Sequence, residues 1–316
     1  MKLFFTIGLI VMTLILVVSI AACAENTPTG QSSENVSEFL DREGNYITVP
    51  GSINSILSMG PATTEILVEL GFADKIIAID GFSANIQGLP SGIPQFDMMA
   101  PDGEQIMILR PDIIFVPGMT RDAGGDDPFQ MIRDAGIPVI FIPTSTSINE
   151  IIEDISFLGA IMGAEDKSEE IISAMKLEIE AFRSAGAAIT ERRTVYFEIS
   201  PAPWMVSLGR DTFLNEMIEI IGAENIFADM DSWTAIADEA VIAANPDVIL
   251  TSVDFIDDPI GEIMSRPGWG AITAVSQGSV YFIDTDASNR PSHNIVVALR
   301  EMAQAVFPEY FDSNYE

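Results

Sequence analysis

Two similar doubly wound α/β lobes with mainly parallel sheets, joined by one long interdomain helix, are the fold this sequence predicts. Three observations lead there. Short apolar runs alternate with helical stretches over most of the 316 residues. Residues 165–187 carry Ile171, Ile172, Met175, Ile179 and Phe182 at helical spacing, while Lys167, Glu169, Glu170, Lys176, Glu178 and Glu180 fill the opposite face. The sequence on either side of that helix repeats one order of elements at matched spacings. A chain of this length can bury a separate core in each of two domains.

The first residues read as an export signal. Lys2 precedes an apolar run over 3–18, followed by Ser19, Ile20, Ala21, Ala22 and Cys23. The ending IAAC resembles a bacterial lipobox, which implies a signal peptide over 1–22 and a lipidated Cys23 as the first mature residue. An uncleaved membrane helix is the other reading of such a run. Either places the rest outside the cytoplasm, anchored to the cell membrane on its outer face or in the periplasm. Cys23 is the chain's one cysteine, so no intramolecular disulfide can form. Residues 23–43, rich at first in Ser, Thr, Asn and Glu, are expected to form the tether.

Charge narrows the partners. Fifteen Lys and Arg stand against 47 Asp and Glu, a formal net charge of −32, which argues against nucleic acid.

The first lobe is expected over 44–164. A strand over 53–59 leads into a helix capped by Thr63 or Thr64, with Glu65 in its first turn and Gly71 after its end. A strand at 76–79 and a long loop at 81–101 follow. A helix over 103–109 turns through Arg110, Pro111 and Asp112 into a strand at 113–116, and a helix at 129–135 leads to a strand at 138–142. After the long helix at 165–187, the second lobe occupies 188–316. It holds strands at 194–199, 204–208, 248–251 and 280–283, with helices at 212–221, 237–244, 259–264 and 295–307.

Particular residues carry the repetition. Glu104, six intervening residues, then Pro111, Asp112, Ile113 and Ile114 match Glu239, six intervening residues, then Pro246, Asp247, Val248 and Ile249. The runs 126–128 and 257–259 both read Asp-Asp-Pro, in which Asp suits an N-cap and Pro the first helical position. Glu65 stands six residues before Gly71, as Glu216 does before Gly222.

As an ordered set, ILSMGPATTEILVELG, EQIMILRPDIIF, TFLNEMIEIIGAENIF, EAVIAANPDVILTS, PGWGAITAVSQGSVYFID and RPSHNIVVALREMAQAVFPEYF resemble the periplasmic binding proteins of iron-siderophore, haem and cobalamin ABC importers. The resemblance runs from about 44 to 311. It implies a carrier that brings its ligand to an ABC permease dimer with its ATPase, and a transported ligand that is a ferric siderophore, haem or cobalamin, with no resident cofactor. In that family one acidic residue on each lobe meets permease arginines. Glu65 matches the first position, and Glu216 and Glu219 are candidates for the second, with the internal spacing favouring Glu216.

Open α/β sheets place ligands at the carboxyl ends of their strands. That rule nominates Met59, Phe82, Met99 and Arg121 in the first lobe, and Trp204, Trp233, Phe255, Arg290 and His293 in the second. The aromatic members offer flat apolar area, and Arg290 could meet an acidic group on the ligand. Met99 and His293 resemble axial ligands of some haem-binding members and would matter only if haem binds; no metal site is otherwise assigned, because a lone His cannot build a bare zinc or manganese site. The family pattern often has Pro and Arg where this chain has His293 and Asn294. A lipid-anchored hydrolase would need His293 as its general base, and no nucleophile elbow, phosphate loop or paired Cys accompanies it. A ligand-sensing lipoprotein is the remaining alternative.

Overall fold

Part of the expected tether forms a strand. In the computed structural model, which describes residues 36–122 and 127–311 apart from the side chains of 121 and 122, β1 (Val36–Leu40) pairs antiparallel with β2 (Tyr46–Pro50). At the hairpin tip Asp41 accepts from the amides of Glu43 and Asn45, and Gly44 takes a positive φ of 84°. Phe39, Ile47 and Val49 lay this hairpin on the core. The boundary at residue 43 is therefore corrected: 36–43 belong to the first lobe, because their apolar positions have a surface to cover. The signal segment and Cys23 lie outside the described residues.

The first lobe continues through β3 (Ile56–Ser58), α1 (Pro61–Glu69), β4 (Ile76–Asp80), β5 (Gln95–Phe96), α2 (Gly103–Leu109), β6 (Ile113–Pro117), α3 (Gly118–Asp122), α4 (Gln130–Asp134), β7 (Val139–Ile142) and α5 (Ile148–Met162). Strands β3 to β7 form one parallel sheet in the order β5-β4-β3-β6-β7. The central strands β3 and β6 are buried nearly throughout, as a sheet covered on both faces requires. α5 adds a helix to those expected, with its start marked locally: Ser147 caps the Glu150 amide, and Glu150 accepts from Thr146.

α6 (Glu165–Gly186) then crosses to the second lobe. There β8 (Thr194–Glu198), β9 (Val206–Leu208), α7 (Phe213–Ile220), β10 (Glu224–Asn225), β11 (Trp233–Ala235), α8 (Asp238–Ala244), β12 (Val248–Thr251), α9 (Pro259–Ser265), α10 (Thr273–Gln277), β13 (Val280–Phe282), α11 (Thr285–Asn289) and α12 (Ile295–Val306) follow. A parallel sheet runs β10-β8-β12-β13, and β9 with β11 forms a separate antiparallel ribbon.

The duplication is visible in geometry. α2 and α8 both end in a left-handed residue, Arg110 at φ 49° and Asn245 at φ 48°, whose amides return to Ile106 and Val241. The aspartate after each Pro then pins the start of the lobe's central strand: Asp112 accepts from the amides of Asn54 and Ser55, and Asp247 from the amide and hydroxyl of Thr194. Of the Asp-Asp-Pro pair, Asp258 caps α9 as expected. Asp127 instead accepts from Phe129 one turn before α4 begins, and Asp126 lies outside the described residues.

At about 1.5 Å per residue α6 spans roughly 33 Å. Its buried stripe of Ile171, Ile172, Met175, Ile179 and Phe182 joins one apolar cluster with α1 and α5 of the first lobe and α7 and α12 of the second. Each such side chain contributes about 1.5–3 kcal/mol by burial. Near its end Gly186 meets α7 backbone to backbone: a Cβ there would lie 2.2 Å from the Ile220 carbonyl oxygen and 2.8 Å from the Gly222 nitrogen. Gly186→Ala should therefore lower stability in urea unfolding by about 1–3 kcal/mol through overpacking. Gly270→Ala, where a Cβ meets nothing within 4 Å, should stay within about 0.5 kcal/mol of the parent.

Candidate functional site

The carboxyl ends of the first lobe's strands converge on one cavity. Gly60 and Pro61 follow β3, Gly81, Phe82 and Asn85 follow β4, Met98 follows β5, Pro117 and Met119 end and follow β6, and Pro143 to Ser145 follow β7; all line a space of about 710 Å³. From the second lobe come Phe213, Trp233, Asp254, Thr285, Asp286 and residues 289–291. The lining is mainly apolar with a few polar groups, the usual make-up of a small-molecule cleft. Trp233 stacks edge-on against Phe213, with centroids 6.3 Å apart, which fixes its plane at the cavity wall.

A polar latch joins the lobes beside this cavity. Arg290 Nη1 donates to Glu65 Oε1 at 2.8 Å, while Nη2 donates to the Phe82 carbonyl and to Asn85 Oδ1, both at 2.9 Å. Ser292 and Asn294 donate to the other Glu65 oxygen at 2.5 and 3.0 Å. Asp286 completes the set, receiving Arg290 Nη2 and Asn85 Nδ2, each at 2.6 Å. With Glu65 7% and Arg290 8% exposed, both charges are out of water and held by several short contacts each.

Other buried polar groups shape the wall. Asp80 accepts from the Phe82 amide and from the Ser83 hydroxyl and holds the turn that carries Phe82; burial pushes its carboxyl up and those hydrogen bonds pull it down. Asp154 of α5 accepts from Ser145 and pairs at 2.6 Å with Arg42 from the hairpin tip; burial raises its carboxyl and these partners oppose the rise.

The structure gathers only part of the expected set. Phe82, Trp233 and Arg290 line the cavity. Met59 does not: it is fully buried among the strands of the first sheet. Trp204 and Phe255, 81% and 69% exposed, lie off the lining, as does Met99, whose neighbour Met98 faces the cavity. His293 is mostly buried beside Glu69, with Nε2 3.9 Å from its carboxylate, and burial lowers the imidazole's pKa. Met99 and His293 therefore do not form an axial pair across the cleft. The Arg121 side chain lies outside the described residues. Among the described residues no group of three or more His, Cys, Asp and Glu is placed to hold a metal ion.

The three docking candidates differ in exposure. A carboxylate that meets a permease arginine has to reach the surface, whereas Glu65 is buried here and saturated by Arg290, Ser292 and Asn294. Glu216 accepts from the Ile148 amide at 2.9 Å, linking α7 to the first turn of α5, and stands 3.9 Å from Arg183. Glu219 is exposed and accepts from Asn215 at 2.9 Å. The first-turn carboxylates Glu104 of α2 and Glu239 of α8 are exposed at equivalent positions of the two lobes.

Three comparisons bear on the chain as a whole. The sequence profile described as periplasmic binding protein matches residues 56–287. The ABC transporter substrate-binding lipoprotein YvrC of Bacillus subtilis strain 168 is 28% identical over 309 residues, covering 94% of this chain and 96% of its own. A cobalamin-binding protein of Halobacterium salinarum is 23% identical over 278 residues, covering 84% of this chain and 72% of its own. Among solved structures, a possible iron-binding, periplasmic solute-binding protein of Staphylococcus epidermidis superposes with a TM-score of 0.71 at 25% identity, covering 81% of this chain and 99% of that one.

Breaking the latch from one side leaves a buried charge without its partner. Arg290→Met should cost about 3–5 kcal/mol in equilibrium unfolding, and adding Glu65→Gln to it should recover a large part of that loss. A double variant no more stable than Arg290→Met alone would show that the pair is not the source of the cost.

Proposed function

Because the chain belongs to the periplasmic binding protein family, we propose that it is the extracytoplasmic capture component of an ABC importer and holds an iron complex or a corrinoid between its lobes. The observation that carries this reading is the cavity of about 710 Å³ at the facing strand ends, lined by Phe82, Met98, Met119, Phe213 and Trp233. Flat apolar walls from both lobes suit a broad macrocycle or chelate, and the few polar groups fix its orientation. The relatives whose names state a role are binding or substrate-binding proteins, and the one His of this chain lies off the cavity lining.

Delivery needs a membrane partner. The lipobox-like ending at Cys23 supports a lipid anchor, in keeping with the lipoprotein name of the Bacillus subtilis relative. The permease and its ATPase would meet the carrier through surface carboxylates. Glu104 and Glu239 suit that task, because the repeat puts one on each lobe, both are exposed, and both stand in the first turn of a helix. Carboxylates at such positions can receive arginines bidentately and set the carrier's orientation on a two-fold partner.

One comparison tests capture and delivery together. Tryptophan fluorescence of the purified chain is titrated with cobalamin, haem and ferric siderophores, and uptake of the bound compound is followed in cells. At least one compound should quench with saturation, because Trp233 lines the cavity. Glu104→Ala with Glu239→Ala should leave that titration unchanged and reduce uptake by at least about tenfold, as loss of charge-assisted contacts does. Saturable binding by none of the compounds contradicts the capture role; full uptake by the double variant contradicts the docking pair, and the exposed Glu219 becomes the next candidate.

A further inference from the structure

Among the described residues the charged groups lining the cleft are Asp154, Asp254, Asp286 and Arg290, three carboxylates against one cation. Asp154 is matched by Arg42. Arg290 is shared between Asp286 at 2.6 Å and Glu65 at 2.8 Å, so its guanidinium is already balanced by two carboxylates. Its Nη2 is further engaged by the Phe82 carbonyl and Asn85. Asp254 is exposed in the cleft, and among the described residues it has no cationic partner. The described lining thus offers a ligand surplus negative charge and no free positive group, on a chain of net charge −32.

Building on the capture role above, we propose that this cleft selects metal chelates that are neutral or cationic, with amide or amine edges, and rejects those that carry carboxylates or a net negative charge. An amide N–H or an ammonium on the ligand can donate to Asp254, and a bare carboxylate in that place meets a like charge across a partly apolar cavity, where screening is weak. Arg290 cannot compensate, since turning toward the ligand would strip Glu65 of its partner in a buried site. On this account the corrinoids, edged by amides, fit, and haem, with its two carboxylates, and ferric tris-catecholates, with their negative charge, do not. Asp254 is the specificity-determining residue.

The test is a set of chemically matched titrations at low ionic strength, read by tryptophan fluorescence. Cobalamin is compared with its derivative in which one peripheral amide is hydrolysed to a carboxylate, and with haem and a ferric tris-catecholate. Cobalamin should bind, and the carboxylate derivative, haem and the catecholate should each bind at least about tenfold more weakly, as an unscreened like charge demands. Asp254→Lys, an exposed change that leaves the latch intact, should reduce the penalty on the carboxylate derivative to about threefold or less. Cobalamin bound together with equal or tighter binding of the carboxylate derivative or of haem overturns the charge rule and leaves the capture role standing. A penalty that survives Asp254→Lys unchanged overturns the assignment to Asp254, and binding of no chelate at all overturns both the rule and the role.

Discussion

The pairing of Arg290 with Glu65 is the contact on which the cleft depends. Two charged groups 225 positions apart in the chain are taken out of water together, one from α1 of the first lobe and one from the segment between α11 and α12 of the second. Such burial is tolerable only when every lone pair and N–H finds a partner, and Ser292, Asn294, Asn85, Asp286 and the Phe82 carbonyl supply them. The same contacts fix the turn carrying Phe82 against the second lobe, so the width of the cavity follows from a hydrogen-bond network. They also consume the lining's one described cation, so shape and electrostatics have a common origin.

The latch acts on lobes that are otherwise joined in a stiff way. α6 is a continuous helix whose buried face shares an apolar cluster with both lobes, and Gly186 and Gly222 bring its end into backbone contact with α7. Glu216 adds a hydrogen bond from α7 to the start of α5. Rotating one lobe against the other would have to disturb the packing of Met175, Ile179 and Phe182, expose the Glu65 carboxylate and free the Ile148 amide. Among the described residues no pair of flexible crossing strands provides an easier hinge. The carrier is therefore built to receive its ligand in a cleft that is largely formed beforehand, which lowers the ordering cost of binding.

Much of this was legible in the sequence, and what was not has a common physical cause. α2 and α6 match their expected spans to within a residue because the Arg-Pro stop after α2 and the apolar periodicity of α6 are local signals. The repeat was legible for the same reason: Pro-Asp at a fixed distance from a Glu recurs, and the structure shows the aspartate pinning a strand in each lobe. α5 carried a Ser-x-x-Glu start that could have revealed it. Side-chain destinations depend on distant chain and were less accessible. A glutamate in the first turns of a helix looks identical whether it faces solvent or an arginine from the other lobe, so the direction of Glu65 is not a local property. Met98 faces the cavity while Met59 is buried in the sheet and Met99 is exposed, and all three stand near strand ends. Trp204 and Phe255 sit on the expected loops but point away from the cavity, since the loop rule fixes position and not direction.

The most direct test of the central claim, that latch and helix hold the lobes in a preformed cleft, is small-angle X-ray scattering of the free protein and of the protein with saturating cobalamin. The two profiles should superpose, with radii of gyration agreeing to within about 1 Å, as for preorganised binding partners. Glu65→Gln with Arg290→Met should broaden the profile of the free protein alone. A free wild-type protein that scatters as an open, clearly more extended particle and closes on loading would contradict the account.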